Sequence, residues 1–248
     1  MADPTARHFF EALGVKTDLM DRMVDIGRDL ANLLKAPAGW QARLPALGWA
    51  CFMGCPADLY DQAADLADGG REEEAESLLI TGWNEGNRLK HHVLRVLSLG
   101  VGDDGRIAVA SRRHELLSLA LEDHNSARFH ASIPVIFTQM EGIIRDVDLA
   151  SPFSRASIAD STTLGGHPDS LPLLLDRFLT LQVHRPSLAE TDEVPSRHGV
   201  LHGRSLRYDS LRNSTKSFVA LFAATEIARA RLDQQFQEGT LAPLDVDR

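Results

Sequence analysis

Apolar residues recur along this chain at spacings of three and four, and no run alternates with a period of two. That is the periodicity of helices with one buried face, not of strands. It predicts helices over 5–14, 17–35, 57–68, 71–83, 86–99, 111–147, 169–183 and 210–237. In 17–35 the stripe is Met20, Met23, Val24, Ile26, Leu30 and Leu33; in 86–99 it is Leu89, Val93, Val96 and Leu97. Pro37, Gly39 and Pro45 punctuate the first stretch, and Gly69-Gly70 separates the pair at 57–83. The run from Gly100 to Gly105 breaks the pattern and is the natural boundary between an N-terminal helical region, 1–105, and a second helical domain, 106–248. The expected fold class is all-α, a helical bundle with an additional N-terminal helical region.

The second part opens on the strongest stripe. Ile133, Ile136, Phe137, Met140, Ile143, Ile144 and Val147 fall at i, i+3, i+4 and i+7. Pro134 lies inside this pattern and is expected to kink or split the helix. Residues 150–167 are Ser-, Thr- and Gly-rich and read as a loop. Leu171, Leu174, Leu175, Phe178 and Leu179 mark the next helix. An acidic connector, with Glu190, Asp192 and Glu193, leads to Pro195, which suits the start of a short helix ending near Gly203. Phe218, Leu221, Phe222 and Ile227 line the last helix, with Gly239 as its stop.

Composition narrows the class. Of 248 residues, 44% are hydrophobic and 25% charged, enough for a core. Two cysteines, Cys51 and Cys55, make neither a disulfide framework nor a zinc site. No basic n-region precedes an apolar run, and no segment approaches the ~20 apolar residues of a membrane span. The expectation is a soluble, cytoplasmic protein with no membrane contact. Arginine outnumbers lysine 22 to 4, which points to a GC-rich bacterial genome. A net charge of −9 argues against broad nucleic-acid coating, so any nucleic-acid contact is expected to be local.

One segment runs against that charge. Between Arg197 and Lys216, the cations Arg197, Arg204, Arg207, Arg212 and Lys216 face a single acid, Asp209. A positive island in an acidic chain suggests an anionic ligand. It begins with Ser196-Arg197-His198-Gly199-Val200-Leu201-His202-Gly203, an arginine and a histidine in R-x4-H spacing. These groups suffice to cut a phosphodiester without metal. Imidazole takes and returns protons near neutral pH, and a guanidinium fork neutralises charge building on phosphate oxygens. His202 is the acid/base candidate, Arg197 the electrostatic stabiliser, and His198 a further catalytic or RNA-contacting residue. Arg204, Arg207, Tyr208, Arg212 and Lys216 are the expected substrate contacts. Neither a metal nor a cofactor is expected.

The run RHGVLHG, followed by Tyr208 and the helix near Asp209, resembles the R-x4-6-H signature of the HEPN superfamily. The stretch from His130 to Ile144 is similar to the inward-facing helix that precedes the motif in a bacterial branch of it. Together they cover roughly residues 111–238. That branch usually carries Asn before the arginine; here Ser196 stands there. The resemblance implies an all-α domain and a metal-independent endoribonuclease of toxin–antitoxin, abortive-infection or CRISPR type. It also implies a homodimer whose site forms across a twofold axis, with RNA as substrate and an antitoxin or defence-system protein as partner.

On an ideal helix Arg197 and His202 stand about 140° apart, so an irregular turn, a wrapping arginine or a second chain must bring them to one phosphate. Alternatives stay open. His202 also fits a helix-terminal histidine, and Arg197 fits a salt-bridge partner of Glu190, Asp192 or Glu193. Glu141, inside the stripe, either orients Arg197 or His202 from behind, with Ser196, or pairs with another arginine. Tyr208 either packs or stacks on a base. His91, His92, His124 and His130 show no ligand spacing. A noncatalytic HEPN-like module binding nucleotide, RNA or protein is the second reading of the whole, and a purely structural helical protein the third.

Overall fold

The computed structural model describes residues 43–52, 54–147, 185–188 and 195–244. The chain divides into two compact units, Met1–Gly39 and Trp40–Arg248, and every described residue belongs to the second. The expected helices at 5–14, 17–35 and 169–183, and the loop at 150–167, lie outside the described residues.

The protein is all-α. In chain order the helices are α1 (Ala57–Asp68), α2 (Glu72–Asn84), α3 (Arg88–Leu94), α4 (Asp104–Asn125), α5 (Phe129–Arg145), α6 (Arg197–Leu201) and α7 (Leu211–Glu238). A 3-10 turn, Arg95–Leu99, continues α3. The lone extended pairing among the described residues is one parallel bridge between Ser187 and Ser205.

Three boundaries depart from the expected ones. The span 111–147 is two helices, and the break falls at Ser126–Arg128, not at Pro134. Ala127 adopts the left-handed conformation, φ 56°, which an alanine does not advertise. Asp123 closes the turn: its carbonyl accepts the Arg128 N–H at 2.8 Å and its carboxylate holds the Arg128 guanidinium at 2.6 Å. Second, α4 starts at Asp104 rather than 111, because the Asp103 side chain caps it by accepting the Arg106 N–H at 2.9 Å. Residue 105, where the sequence suggests a boundary, therefore sits in the first turn of α4. Third, the 3-10 winding changes the phase after α3. It leaves Leu97 42% exposed and buries Leu99 instead.

Helix α7 is the axis of the core. Residues 213–225 are buried without interruption. It packs on α5, α2, α3 and the 3-10 turn, while α4 covers α5 and α1 pairs with α2. Every position of the Ile133–Val147 stripe is buried. Trp83 gathers Phe52, Tyr60, His92 and Phe222 around its ring. Cys51 and Cys55 are buried and form no disulfide, and burial pushes Cys55 up to about 12, which makes it a poor nucleophile.

The first turns of α7 are polar and still buried: Asn213, Ser214, Thr215, Lys216 and Ser217. Several find partners on other helices, as burial demands. Ser214 Oγ meets His124 Nδ1 at 2.8 Å and Ser132 Oγ at 2.9 Å. Asn84 closes the network, its Oδ1 on His124 Nε2 at 2.6 Å and its amide donating to Thr215 Oγ1 at 3.0 Å. In sequence such a run reads as a solvated stretch. It is buried because α7 has neighbours on all sides.

This network predicts acid sensitivity. Burial lowers His124 to about 4; burial first, then Arg95 and His91, lower His92 to about 4. Both are neutral in the folded state, whereas in the unfolded chain they titrate near 6.5. Between those values the unfolded chain binds more protons, so stability falls as pH falls from about 6.5 to about 4. His124 is only 3% exposed and contributes on the order of 3 kcal/mol across that window. Half-buried His92 contributes less, since solvent screens it. Urea midpoints measured from pH 7 to 4.5 should drop steadily, and less steeply in His124→Asn. Midpoints flat over that range in the wild type would refute neutral burial.

Candidate active site

The motif is a short helix with a defined start and stop. Buried Ser196 is the N-cap, its hydroxyl accepting the Gly199 N–H at 3.0 Å. Gly203, at φ +63°, ends the turn in the left-handed region that favours glycine. The chain then folds back tightly: Arg204 and Ser205 both donate their N–H to the Gly199 carbonyl, at 2.6 and 2.9 Å. Segment 185–188 clamps this turn, with Ser187 N–H on the Arg204 carbonyl at 2.7 Å and Leu206 N–H on the Ser187 carbonyl at 3.0 Å.

Pro134 has a use here. It has no N–H to satisfy the His130 carbonyl one turn earlier, so that acceptor is free of the helix ladder. The Tyr208 hydroxyl donates to it at 3.1 Å. Asn213 Nδ2 holds the Tyr208 carbonyl at 2.9 Å. Proline and tyrosine together tie the chain after the motif to α5. Burial, and secondarily Asp209, push the Tyr208 phenol above its ordinary range.

Helix α6 rests on α5, and its first residue reaches across. The Arg197 guanidinium donates to Glu141 Oε2. Glu141 Oε1 takes Arg145 Nη2 at 3.0 Å. Glu141 is 16% exposed and Arg197 18%, so this pair is largely shielded and orients the guanidinium. Glu141 thus contacts both arginines, Arg197 from α6 and Arg145 on its own helix. Beside it, Gly142 leaves room for Arg113, which a Cβ would meet head-on. Arg113 in turn grips Asp146 at 2.7 Å and Gln139 at 3.0 Å, fixing α4 to this end of α5.

The other face of α6 carries the imidazoles. His198 and His202 lie at i and i+4, and their ring centroids are 4.5 Å apart with a 50° tilt. His202 is the C-cap residue, its N–H on the His198 carbonyl at 3.1 Å. His198 is half-buried and His202 exposed. So the angular problem of R-x4-H takes a different form: Arg197 turns to α5, and His202 meets His198.

The expected contacts separate into two groups. Arg204 and Arg207 are exposed next to the motif, and Tyr208 is half-buried. Lys216 is not placed to meet a ligand in the way expected. Glu76 pairs with both Lys216 and Arg212, holding the Lys216 ammonium inside and Arg212 Nη2 at 2.8 Å, with the Arg212 side chain still 40% exposed. Lys216 is 1% exposed, donates to the Leu47 carbonyl at 2.7 Å and lies 5.5 Å from the Trp49 ring centroid. A cation so enclosed belongs to the core. The acids Glu190, Asp192 and Glu193 lie outside the described residues.

Two cations escape the sequence reading. Arg145 was legible, since it stands at i+4 from Glu141 on one helix. Arg185 was not: it is exposed, and only the Ser187–Ser205 bridge brings its segment to the motif. No described helix is long and apolar enough to cross a membrane. The chain matches no family model, no curated protein sequence and no solved structure. The functional reading therefore rests on this geometry and the chemistry of these residues.

Proposed function

We propose that this protein is a metal-independent endoribonuclease that cleaves through the RNA 2′-hydroxyl. The observation that carries the reading is the His198–His202 imidazole pair beside an arginine braced by Glu141. One neutral imidazole removes the 2′-hydroxyl proton as the oxygen attacks the adjacent phosphorus. The P–O5′ bond breaks as the second, protonated imidazole gives its proton to the departing oxygen. Arg197 binds the non-bridging oxygens, whose charge grows in the five-coordinate transition state. The product ends are a 2′,3′-cyclic phosphate and a 5′-hydroxyl, and water opens the former to a 3′-phosphate. His202 is the more exposed imidazole and the one we assign to the 2′-hydroxyl.

The proposal extends to a homodimer whose interface includes residues 197–213, where Leu206 and Leu211 are 50% and 42% exposed. It also carries the setting that the HEPN resemblance implies, a bacterial toxin or defence effector restrained by a partner protein. A second reading, a noncatalytic RNA- or protein-binding module, draws on one observation: Glu141 already occupies part of the Arg197 fork. Phosphate must share or displace that contact.

The test is cleavage of an RNA oligonucleotide in EDTA, with product ends read by mass spectrometry. Cyclic or 3′-phosphate ends are expected, with EDTA without effect. A single 2′-deoxy substitution at the cut site should stop cleavage there. Arg197→Ala should lose about 10²–10³-fold, in line with removal of a transition-state donor. DNA cut as readily as RNA, or activity abolished by EDTA, overturns the mechanism. RNA bound but left intact by the wild type favours the noncatalytic module.

A further inference from the structure

We infer that Arg145 forms a second phosphate subsite beside Arg197, so that the site grips two phosphates of one RNA strand and the cationic surface extends along the end of α5. This inference rests on the endoribonuclease reading. Glu141 bridges the two guanidiniums, Oε2 on Arg197 and Oε1 on Arg145 Nη2 at 3.0 Å. One carboxylate and two hydrogen bonds hold the guanidinium nitrogens on the order of 8 Å apart or closer. That separation suits neighbouring phosphates of a single strand. The cluster is two cations against one carboxylate, which leaves a positive charge for a ligand to neutralise.

The two arginines differ in availability. Arg197 is shielded between α6 and α5, whereas the Arg145 side chain is 59% exposed. Glu141 takes one Nη of Arg145, and among the described residues nothing else engages that guanidinium. Its remaining N–H donors face water or a ligand. The next acid, Asp146, just past the end of α5, is committed to Arg113 at 2.7 Å. With Lys216 enclosed against Glu76, the Arg145 side chain is more exposed than that of Arg212, 59% against 40%.

The experiment uses the full chain and counts phosphates. The substrates are a ribodinucleotide with one internal phosphate, and the same dinucleotide bearing an added 5′- or 3′-terminal phosphate. In the wild type an added phosphate on the Arg145 side should raise kcat/KM. Arg145→Ala should erase roughly 10–100-fold of that gain, the worth of a charged hydrogen-bonded contact. The plain dinucleotide should be cut at the wild-type rate, because Glu141 still braces Arg197. Arg145→Lys should recover part of the gain, as a point charge without the fork.

If Arg145 serves only as the i, i+4 partner of Glu141, its removal leaves the ratio between substrates unchanged, and the subsite is overturned. Equal losses on both substrates overturn it too and assign Arg145 to bracing the motif. If the wild type cuts no RNA, the endoribonuclease reading and the subsite fall together. If the wild type cuts RNA and Arg197→Ala does not, an unchanged substrate ratio in Arg145→Ala removes the subsite alone.

Discussion

Replacing His202 with alanine is expected to lower the rate of RNA cleavage about 10²–10⁴-fold, the range for losing a general acid or base. The fold should survive. His202 is exposed, and its backbone N–H, which alanine keeps, makes the turn-closing bond to His198. Gly203 supplies the left-handed conformation whatever precedes it. Circular dichroism and melting of the variant should overlay those of the wild type. His198→Ala should also lose activity, since its ring lies against that of His202. If the two imidazoles act as one proton-exchanging unit, the double variant should be little worse than the worse single one. Cleavage unchanged in His202→Ala removes the mechanism. Losses that simply multiply in the double variant would mean that the two rings work independently, and the pairing would carry no chemical meaning.

How far the sequence reveals this arrangement depends on the range of the interaction that sets each feature. Helix type follows from local periodicity, so α1, α2 and α7 fall within a residue or two of expectation. The Ile133–Val147 stripe is buried throughout, as its spacing requires. The stop at Gly203 is local chemistry and legible, whereas the helix starts one step later than Pro195 suggests, capped by Ser196. What fails needs either a rare backbone conformation or a long-range partner. Ala127 in the left-handed region carries no sequence signal. The helix does not split at Pro134, and the His130 carbonyl that the proline leaves without a donor is met from outside the helix by Tyr208. Within the site, Arg197 and Glu141 are 56 residues apart, and a choice between Glu141 and the nearer acids had no basis in spacing alone. The i, i+4 histidines were in plain view. The R-x4-H spacing by itself does not reveal that a second imidazole already stands beside His202 within one chain.

The buried Lys216–Glu76 pair carries the largest expected change in stability. A lysine in a basic stretch reads as a ligand contact. Here it is enclosed with Glu76, Arg212, the Leu47 carbonyl and the Trp49 ring. Removing one member of a buried pair costs about 3–5 kcal/mol when the other charge is left uncompensated. Glu76→Gln does that, because it removes the carboxylate paired with the buried Lys216 ammonium. For a chain of this size the melting temperature should fall on the order of 10 °C. Lys216→Met should cost much less. It replaces the ammonium with apolar volume, and Glu76 keeps Arg212 at 2.8 Å. The ordering separates the two roles that a lysine here can have. A core lysine gives a large loss in Glu76→Gln, a small loss in Lys216→Met, and unchanged RNA affinity in the latter. A ligand-binding lysine gives weakened RNA binding in Lys216→Met with no change in melting. That second pattern would return Lys216 to the site and require Glu76 to release it when RNA binds.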